Sequence, residues 1–286
     1  MVELESVPEL VDPVMVAAFE GWNDAGEAAS GVIRHLESSW NATPIAELDP
    51  EDYYDFQVTR PTVELVDGET RQIIWPTTRI FWARPPDSSH DVILVHGIEP
   101  NMRWRSFCGE LLDRTLDLEV ETVVLLGALL ADAPHTRPVP VTGTTSDRNL
   151  GASLNLEQSR YEGPTGILGV LQDTCARADL TTIALWASIP HYVAQPPSPK
   201  ATLALLRRVE DLLDVTVPLG DLPEEARAWE HGVNELAERD SEVAEYVKAL
   251  EEQKDATELP EASGDAIARE FERFLRRRGS DGDHGD

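Results

Sequence analysis

Four short apolar runs recur along the chain, and each of them ends at a turn. They cover residues 14–19, 91–96, 122–126 and 181–186, and a glycine closely follows three of the four. Apolar runs of this length that are bounded by turn residues are typical of buried β-strands. The pattern therefore predicts four buried strands.

Helical spacing fills the stretches between these runs. Trp104, Phe107, Cys108 and Leu111 recur at intervals of three and four, and residues 167–178 follow the same pattern with small slips. Strands that alternate with helices predict βαβ units. The expected fold class is α/β, with a mainly parallel sheet that is covered on both faces.

Two insertions interrupt this alternation. Residues 61–66 and 71–75 flank Asp67-Gly68, which predicts a β-hairpin, and residues 78–82 predict a further strand. These antiparallel pieces would make the sheet mixed. A long excursion over residues 133–159 follows the third run, and such excursions are often functional or form interfaces.

The chain changes character after Pro218, where no further strand is evident. Residues 223–238 and 241–254 predict two charged amphipathic helices with a break at Asp240, and residues 265–278 predict a last helix. We therefore expect an α/β core over residues 1–219, a helical extension over 220–279 and a disordered tail over 280–286.

The turn after the first run is the strongest candidate for a binding site. Asp24 can accept hydrogen bonds from the first free N–H groups of the next helix, and Glu27 would complete a capping box. Backbone donors at a positive helix end often bind anions in α/β proteins. The alternative is an ordinary connection, since the glycine pattern is not that of a dinucleotide or phosphate-binding loop.

Polar residues after the other strands extend this candidate site, because ligands of parallel sheets bind past the carboxyl ends of the strands. The ligand-cleft candidates are Glu20, Trp22, Asn23, Asp24, His96, Glu99, His135 and His191. The histidines could supply a general base, but no pair has metal-ligand spacing, so we predict neither a metal nor a cofactor. His96 could equally be a satisfied residue at a strand end.

Motifs of the common catalytic classes are missing from the sequence. No serine lies in a G-x-S-x-G elbow, and neither Cys108 nor Cys175 has a histidine neighbour in sequence. Residues 142–146 form a hydroxyl-rich segment that could hold a phosphate or carboxylate, or could be a turn that satisfies its own backbone. The sequence predicts a pocket without a diagnostic catalytic set.

Composition narrows the class of protein. Acidic residues number 53 against 24 basic ones, a formal net charge of −29, which disfavours nucleic acid as a partner. No apolar segment approaches the roughly 20 residues that cross a bilayer. The acidic start lacks the pattern of a signal peptide, and the two cysteines lie in apolar helical patterns. We expect a cytoplasmic protein with reduced, buried thiols.

Four motifs together resemble a known family. They are EGWNDAGEAA after the first run, DPEDYYDFQVTRPTVEL at residues 49–65, HGIEPNMRW at 96–104 and SIPHYV at 188–193. Over residues 11–219 the chain resembles the bacterial branch of the proteasome-assembly-chaperone family, second-subunit type. The resemblance implies a three-layer α/β fold of the phosphorylase/hydrolase group and a homo-oligomer, with a trimer expected from that fold.

The resemblance also bears on function. Eukaryotic and archaeal relatives bind proteasome subunits without known catalysis, and those that dock do so through a C-terminal hydrophobic–Tyr–any tail. Here the sequence ends in His284-Gly285-Asp286. The resemblance therefore implies the fold first, and it does not extend to docking through the tail.

Two functional hypotheses follow. The first is a non-catalytic, assembly-chaperone-like protein that binds itself and other proteins. The second is an enzyme or binder of a phosphate- or nucleoside-type ligand, in which the turn at residues 21–26 receives an anion and His96 or His191 handles a proton.

Overall fold

The computed structural model describes residues 7–86, 88–145, 147–154, 156, 158–159 and 161–258. The last predicted helix and the predicted tail lie outside these residues. Within them, no helix has both the length and the apolarity that a membrane crossing requires.

A seven-stranded sheet forms the centre of the fold, in the order β2-β5-β6-β1-β7-β9-β8. Its strands are β1 Val14–Glu20, β2 Thr43–Glu47, β5 Thr78–Ala83, β6 Val92–Ile98, β7 Thr122–Ala131, β8 Val141–Thr145 and β9 Thr181–Pro190. The four central strands β6, β1, β7 and β9 are parallel, while β5 and β8 run antiparallel to their neighbours. The predicted mixed, mainly parallel sheet is confirmed.

Helices cover both faces of this sheet. The helices of the core are α1 Ala28–Ser39, α2 Trp104–Asp117, α3 Arg148–Leu154, α4 Ile167–Arg177 and α5 Pro199–Leu213. Alternate residues of β1 enter two different cores: Val16 and Ala18 pack with α1 and α5, whereas Ala17 and Phe19 pack with α2 and α4. This alternation is the two-residue period of a strand that is buried on both faces.

The small residues of α1 allow close packing. Ala28 and Ala29 are fully buried. A Cβ atom on Gly31 would lie 2.9 Å from Thr202 Oγ1 of α5, so glycine permits the close approach of these two helices.

The predicted hairpin is present, but it stands apart from the main sheet. Strands β3 Thr62–Val66 and β4 Thr70–Ile74 form a two-stranded sheet of their own. Asp67 and Gly68 both have positive φ angles, 54° and 75°, as tight hairpin turns require. Of the ten strand residues only Ile74 is partly covered, and the other nine are exposed.

Three sequence-based expectations differ from the structure. The first is β2, which was not predicted. The second is the hydroxyl-rich segment at residues 142–146, which belongs mostly to the edge strand β8. There Thr145 Oγ1 donates a hydrogen bond to the Thr182 carbonyl at 2.8 Å. The strands also continue further than the apolar runs. β6 extends to Ile98, so His96 lies inside the strand.

The two helices after Pro218 are confirmed. They are α6 Leu222–Arg239 and α7 Ser241–Glu258, and Asp240 separates them. The Asp240 carboxylate accepts hydrogen bonds from the N–H groups of Glu242 and Val243, at 3.0 and 3.4 Å, and so caps α7. α6 packs against α5, and α7 packs against α6.

Candidate functional site

Asp24 caps the helix that follows the first strand. Its two carboxylate oxygens accept hydrogen bonds from Ala29 N at 2.7 Å and Ser30 N at 3.2 Å. Burial raises the pKa of Asp24, and these hydrogen bonds partly offset that effect. The predicted capping role of Asp24 is confirmed.

The capping box with Glu27 is wrong. Glu27 occupies the N-cap position in a left-handed conformation, with φ of 50°, and its carboxylate lies 3.2 Å from Arg34 Nη2, two turns further along α1. Gly26 also has a positive φ. These two residues kink the connection, and the Asp24 N–H, which the Glu27 side chain would bond in a capping box, donates to Gly21 O at 3.1 Å instead.

A second carboxylate caps a second helix at the same edge of the sheet. Glu99 Oε1 accepts hydrogen bonds from Ile167 N, at the start of α4, and from Asn23 Nδ2, both at 2.8 Å. Asn23 is buried, whereas Trp22 beside it is 66% exposed. Two backbone donors at the start of α1 and one at the start of α4 are therefore engaged by the protein's own carboxylates.

Glu20 and His96 lie side by side on the face of the sheet that α1 covers. His96 Nε2 is 3.3 Å from Glu20 Oε1, and His96 Nδ1 is 3.3 Å from Glu37 Oε1 of α1. Burial alone would lower the pKa of His96, but the two carboxylates outweigh it and raise the pKa to about 9. His96 is therefore an imidazolium held between two carboxylates at neutral pH.

A cleft of about 210 Å³ opens beside this pair, at the base of the β3–β4 hairpin. Glu20 and His96 form its inner wall. Arg79, the cross-strand partner of His96 on β5, lines the cleft, and so do Arg60 and Trp75 from the two ends of the hairpin. Sequence reasoning missed these three residues, although pairing the strand at 78–82 with that at 91–96 would have placed Arg79 beside His96.

His135 and His191 belong to a different cluster, past the end of β9. The Tyr192 hydroxyl lies 2.8 Å from His135 Nδ1, and His135 Nε2 lies 3.0 Å from Asn234 Oδ1 of α6. His191 Nδ1 is 3.2 Å from Asp132 Oδ1, and its ring packs on Tyr246 of α7. Burial lowers the pKa of His135, so its ring is neutral.

The eight candidate residues thus divide into separate groups. Glu20 and His96 are in contact, Asn23 and Glu99 are hydrogen-bonded near Asp24, and His135 and His191 both contact Tyr192. Among the described residues, no hydrogen bond or ion pair joins the histidine–tyrosine cluster to the other groups. β7 separates β1 from β9, which explains the division.

The described side chains offer little for covalent or metal chemistry. Cys108 and Cys175 are both buried, and burial raises their pKa to about 12 and about 11, so both are neutral thiols. Over the described ranges, no three histidine, cysteine or acidic side chains gather in a way that could hold a metal ion. The arrangement offers charged side chains and exposed apolar groups to a ligand or partner.

Similar proteins agree with this fold. A PAC2 family protein of Streptomyces avermitilis is 61% identical, with a TM-score of 0.78 over 82% of this chain and 100% of that one. A proteasome-assembly chaperone homologue of Mycobacterium tuberculosis is 58% identical, with a TM-score of 0.75 over 82% of this chain and 99% of that one.

More distant structures share the fold alone. One is an archaeal proteasome activator of Pyrococcus furiosus, which is 17% identical and has a TM-score of 0.65 over 82% of this chain and 98% of that one. No curated protein sequence matches the chain. Residues 18–237 match the family described as PAC2. With its sheet order, its helical layers and these relatives in agreement, the chain belongs to the PAC2 family.

Proposed function

We propose that this protein is a non-catalytic, cytoplasmic, homo-oligomeric binding protein that acts on other proteins in the manner of an assembly chaperone. The 58% identical relative from Mycobacterium tuberculosis carries the name proteasome-assembly chaperone homologue. The capped helix ends at the sheet edge, and the buried, neutral thiols of the core, also suit a binding role better than a catalytic one.

The single observation that carries the proposal is the uncovered apolar face of the β3–β4 hairpin. Val63, Leu65 and Ile73 share one face, because Val63 pairs with Ile73 and Leu65 follows Val63 by two residues. They are 51%, 61% and 54% exposed. Neighbouring apolar side chains that each expose about half of their surface to water mark interaction surfaces.

The structure of the hairpin supports self-association through this face. A two-stranded sheet is at best marginally stable in water unless it packs against something else. Its opposite face carries Thr62 and Ile74 and lines the cleft, so the apolar face points away from the body of the same chain. We propose that a second copy covers it, in a trimer.

Hairpin variants test this interface. We expect the double substitution Leu65→Lys and Ile73→Lys to reduce the mass measured by light scattering to that of the monomer, because the two lysines on each hairpin, six in a trimer, would be buried unpaired among apolar contacts. The control substitutes Leu116→Lys on α2, which is equally exposed at 48% but lies outside the hairpin. An unchanged mass in the hairpin variant would refute the interface.

Proteasome subunits are the first partners to test, because the relative is named for their assembly. We expect the protein to join subunits of the same organism on native gels and to change the rate at which full particles form. If particle assembly requires the oligomer, the hairpin variant should lose this effect and the Leu116→Lys control should retain it. Unchanged particle formation with no co-migrating species would contradict the assembly role.

The alternative, a phosphate or nucleoside site at the turn over residues 21–26, has less support. Asp24 and Glu99 bring negative charge to the helix ends that would receive the anion, and they use the N–H groups of Ala29, Ser30 and Ile167. An anion at that turn would have to displace a buried carboxylate.

A further inference from the structure

The cleft at the base of the hairpin has a different character from the apolar face. Thr62 and Ile74, which pair across the hairpin, point into it, while Val63, Leu65 and Ile73 point the other way. The cleft and the apolar face are therefore separate surfaces, and occupation of one does not require occupation of the other.

Two arginines line this cleft in a chain whose net charge is −29. Within the described part of the chain, Arg60 has neither an ion pair nor a hydrogen bond from its guanidinium. Arg79 has only a long contact, 3.9 Å from its Nε to Glu47 Oε2. Both guanidinium groups therefore retain donors for an external acceptor.

The inner wall balances its own charges. Glu20 contacts both His96 and Arg34, and Glu37 lies against the other side of His96. Among the described residues, the charged groups around His96 are Glu20 on β1, Arg79 on β5, and Glu37 and Arg34 on α1. The carboxylate of Glu20 is thus compensated within the protein, whereas Arg60 has no ion-pair partner among the described residues and Arg79 has only the long contact with Glu47.

Apolar groups complete the cleft beside the arginines. Trp75 is 44% exposed, and its ring is held by Phe56, with ring centroids 4.8 Å apart. Ile74 and Ile98 also line the cleft. A ligand here would meet a cationic end and an aromatic and aliphatic wall.

We propose that this cleft binds a carboxylate that is attached to an aromatic or apolar group. A guanidinium pairs with the two oxygens of a carboxylate through parallel hydrogen bonds. The carboxylate of Glu20 on the inner wall disfavours a dianion such as phosphate more than a monoanion. The source of the carboxylate is either a free organic acid or the end of a peptide chain.

Phenylacetate is the first probe, because it combines a carboxylate with an aromatic ring in a molecule small enough for the cleft. Isoleucine methyl groups are labelled for NMR, and the signals of Ile74 and Ile98 report on the cleft itself. We expect saturable shifts of these two signals at millimolar concentrations. Phenylacetamide, which lacks the charge, and inorganic phosphate should produce much weaker shifts.

Arginine variants locate the site. Arg60→Ala and Arg79→Gln should each weaken the binding of phenylacetate about fivefold, as expected for one partly exposed charge pair. Arg60→Lys should recover only part of the affinity, because lysine lacks the planar fork. The control Arg177→Ala removes an exposed arginine on α4, outside the cleft, and should leave the affinity unchanged.

A peptide distinguishes the two sources. A short peptide that ends in phenylalanine is compared with the same peptide carrying a C-terminal amide. Tighter binding of the free-acid peptide than of phenylacetate assigns the site to a protein partner, and tighter binding of phenylacetate assigns it to a small acid. The proposal is overturned if neither probe shifts Ile74 and Ile98, if phenylacetamide binds as well as phenylacetate, or if both arginine variants bind as the unmodified protein does.

Discussion

At the scale of single residues, the charges beside α1 are paired closely across the sheet. Glu47 on β2 pairs with Arg79 on β5, Arg79 pairs with His96 on β6, and Glu20 on β1 lies diagonally from His96. The two adjacent cations, Arg79 and His96, are thus flanked by the carboxylates of Glu47 and Glu20, and neighbouring charges of opposite sign stabilise a sheet face. His96 is the most buried member of this row, so its protonation state has the largest effect on stability.

The stability of the protein should therefore fall between neutral and alkaline pH. The pKa of His96 is raised to about 9, above the usual value of 6.5, so its contribution is complete below pH 6.5 and is lost as the pH rises through 9. We expect a loss of about 1–2 kcal/mol after allowance for the partly exposed Glu20. Urea denaturation at pH 6.5 and pH 9.5 measures it.

The variant His96→Gln provides the control for this pH dependence. Glutamine cannot become charged, so the difference in unfolding free energy between the two pH values should shrink in the variant. An equal difference in both proteins would show that other groups cause it.

Asp24 should matter through its two hydrogen bonds to α1. Asp24→Ala removes both acceptors and leaves the buried N–H groups of Ala29 and Ser30 without partners, which should cost about 2 kcal/mol of unfolding free energy. Asp24→Asn retains an acceptor and should cost less. The control is Asp113→Ala, at an exposed position on α2. If denaturant unfolding gives the same small loss of unfolding free energy for Asp24→Ala as for this control, the capping role of Asp24 is contradicted.

At the scale of elements, the central strands could be predicted and the edge strands could not. Residues 14–19 and 122–126 are continuous apolar runs because β1 and β7 are buried on both faces. β2, with the sequence TPIAE, and β8, with VTGTT, lie at the two edges of the sheet and show no such run. An edge strand has only one neighbouring strand and is less buried, so its sequence lacks the continuous apolar run that predicts a central strand.

The hairpin was predicted correctly because its turn is encoded locally, in Asp67-Gly68. Its separation from the main sheet was not predictable, since pairing between strands depends on distant residues. The kink at Gly26 and Glu27 has the same cause: the spacing fitted a capping box, but tertiary packing placed Glu27 in a left-handed conformation.

Tyr192 adds a hydrogen-bonded link between the core and α6, beside the packing of α6 on α5. Its hydroxyl accepts a hydrogen bond from His135 N at 2.9 Å and contacts the His135 ring, which in turn reaches Asn234 of α6. Tyr192→Phe should cost about 1–2 kcal/mol and increase hydrogen exchange in α6. The exposed Tyr161, changed to Phe, is the control, and equal exchange in the two variants would contradict this role.

At the scale of the whole molecule, the sequence predicted which polar residues lie near the carboxyl ends of the strands but not which of them meet. Glu20 and His96 come together because β1 and β6 are neighbours, whereas His191 follows β9 on the far side of β7. Chain order leaves strand order open, so this division could not be derived. The cleft also depends on Arg60 and Trp75, which only the position of the hairpin brings beside His96.

The net charge of −29 acts against self-association, because like charges repel when copies approach. Apolar contact must outweigh that repulsion, and salt reduces the repulsion over distances of about 10 Å at 0.1 M. The oligomer should therefore be stabilised by moderate salt, which is the opposite of an assembly held together by ion pairs.

Sedimentation equilibrium of the unmodified protein tests the central claim most directly. At 0.15 M salt we predict a mass that is a whole multiple of the 31.6 kDa chain, three by the trimer proposal, and that falls on dilution or at low salt. A mass of 31.6 kDa at every protein and salt concentration would show that the apolar hairpin face does not bind a second copy, and it would contradict the proposed homo-oligomer.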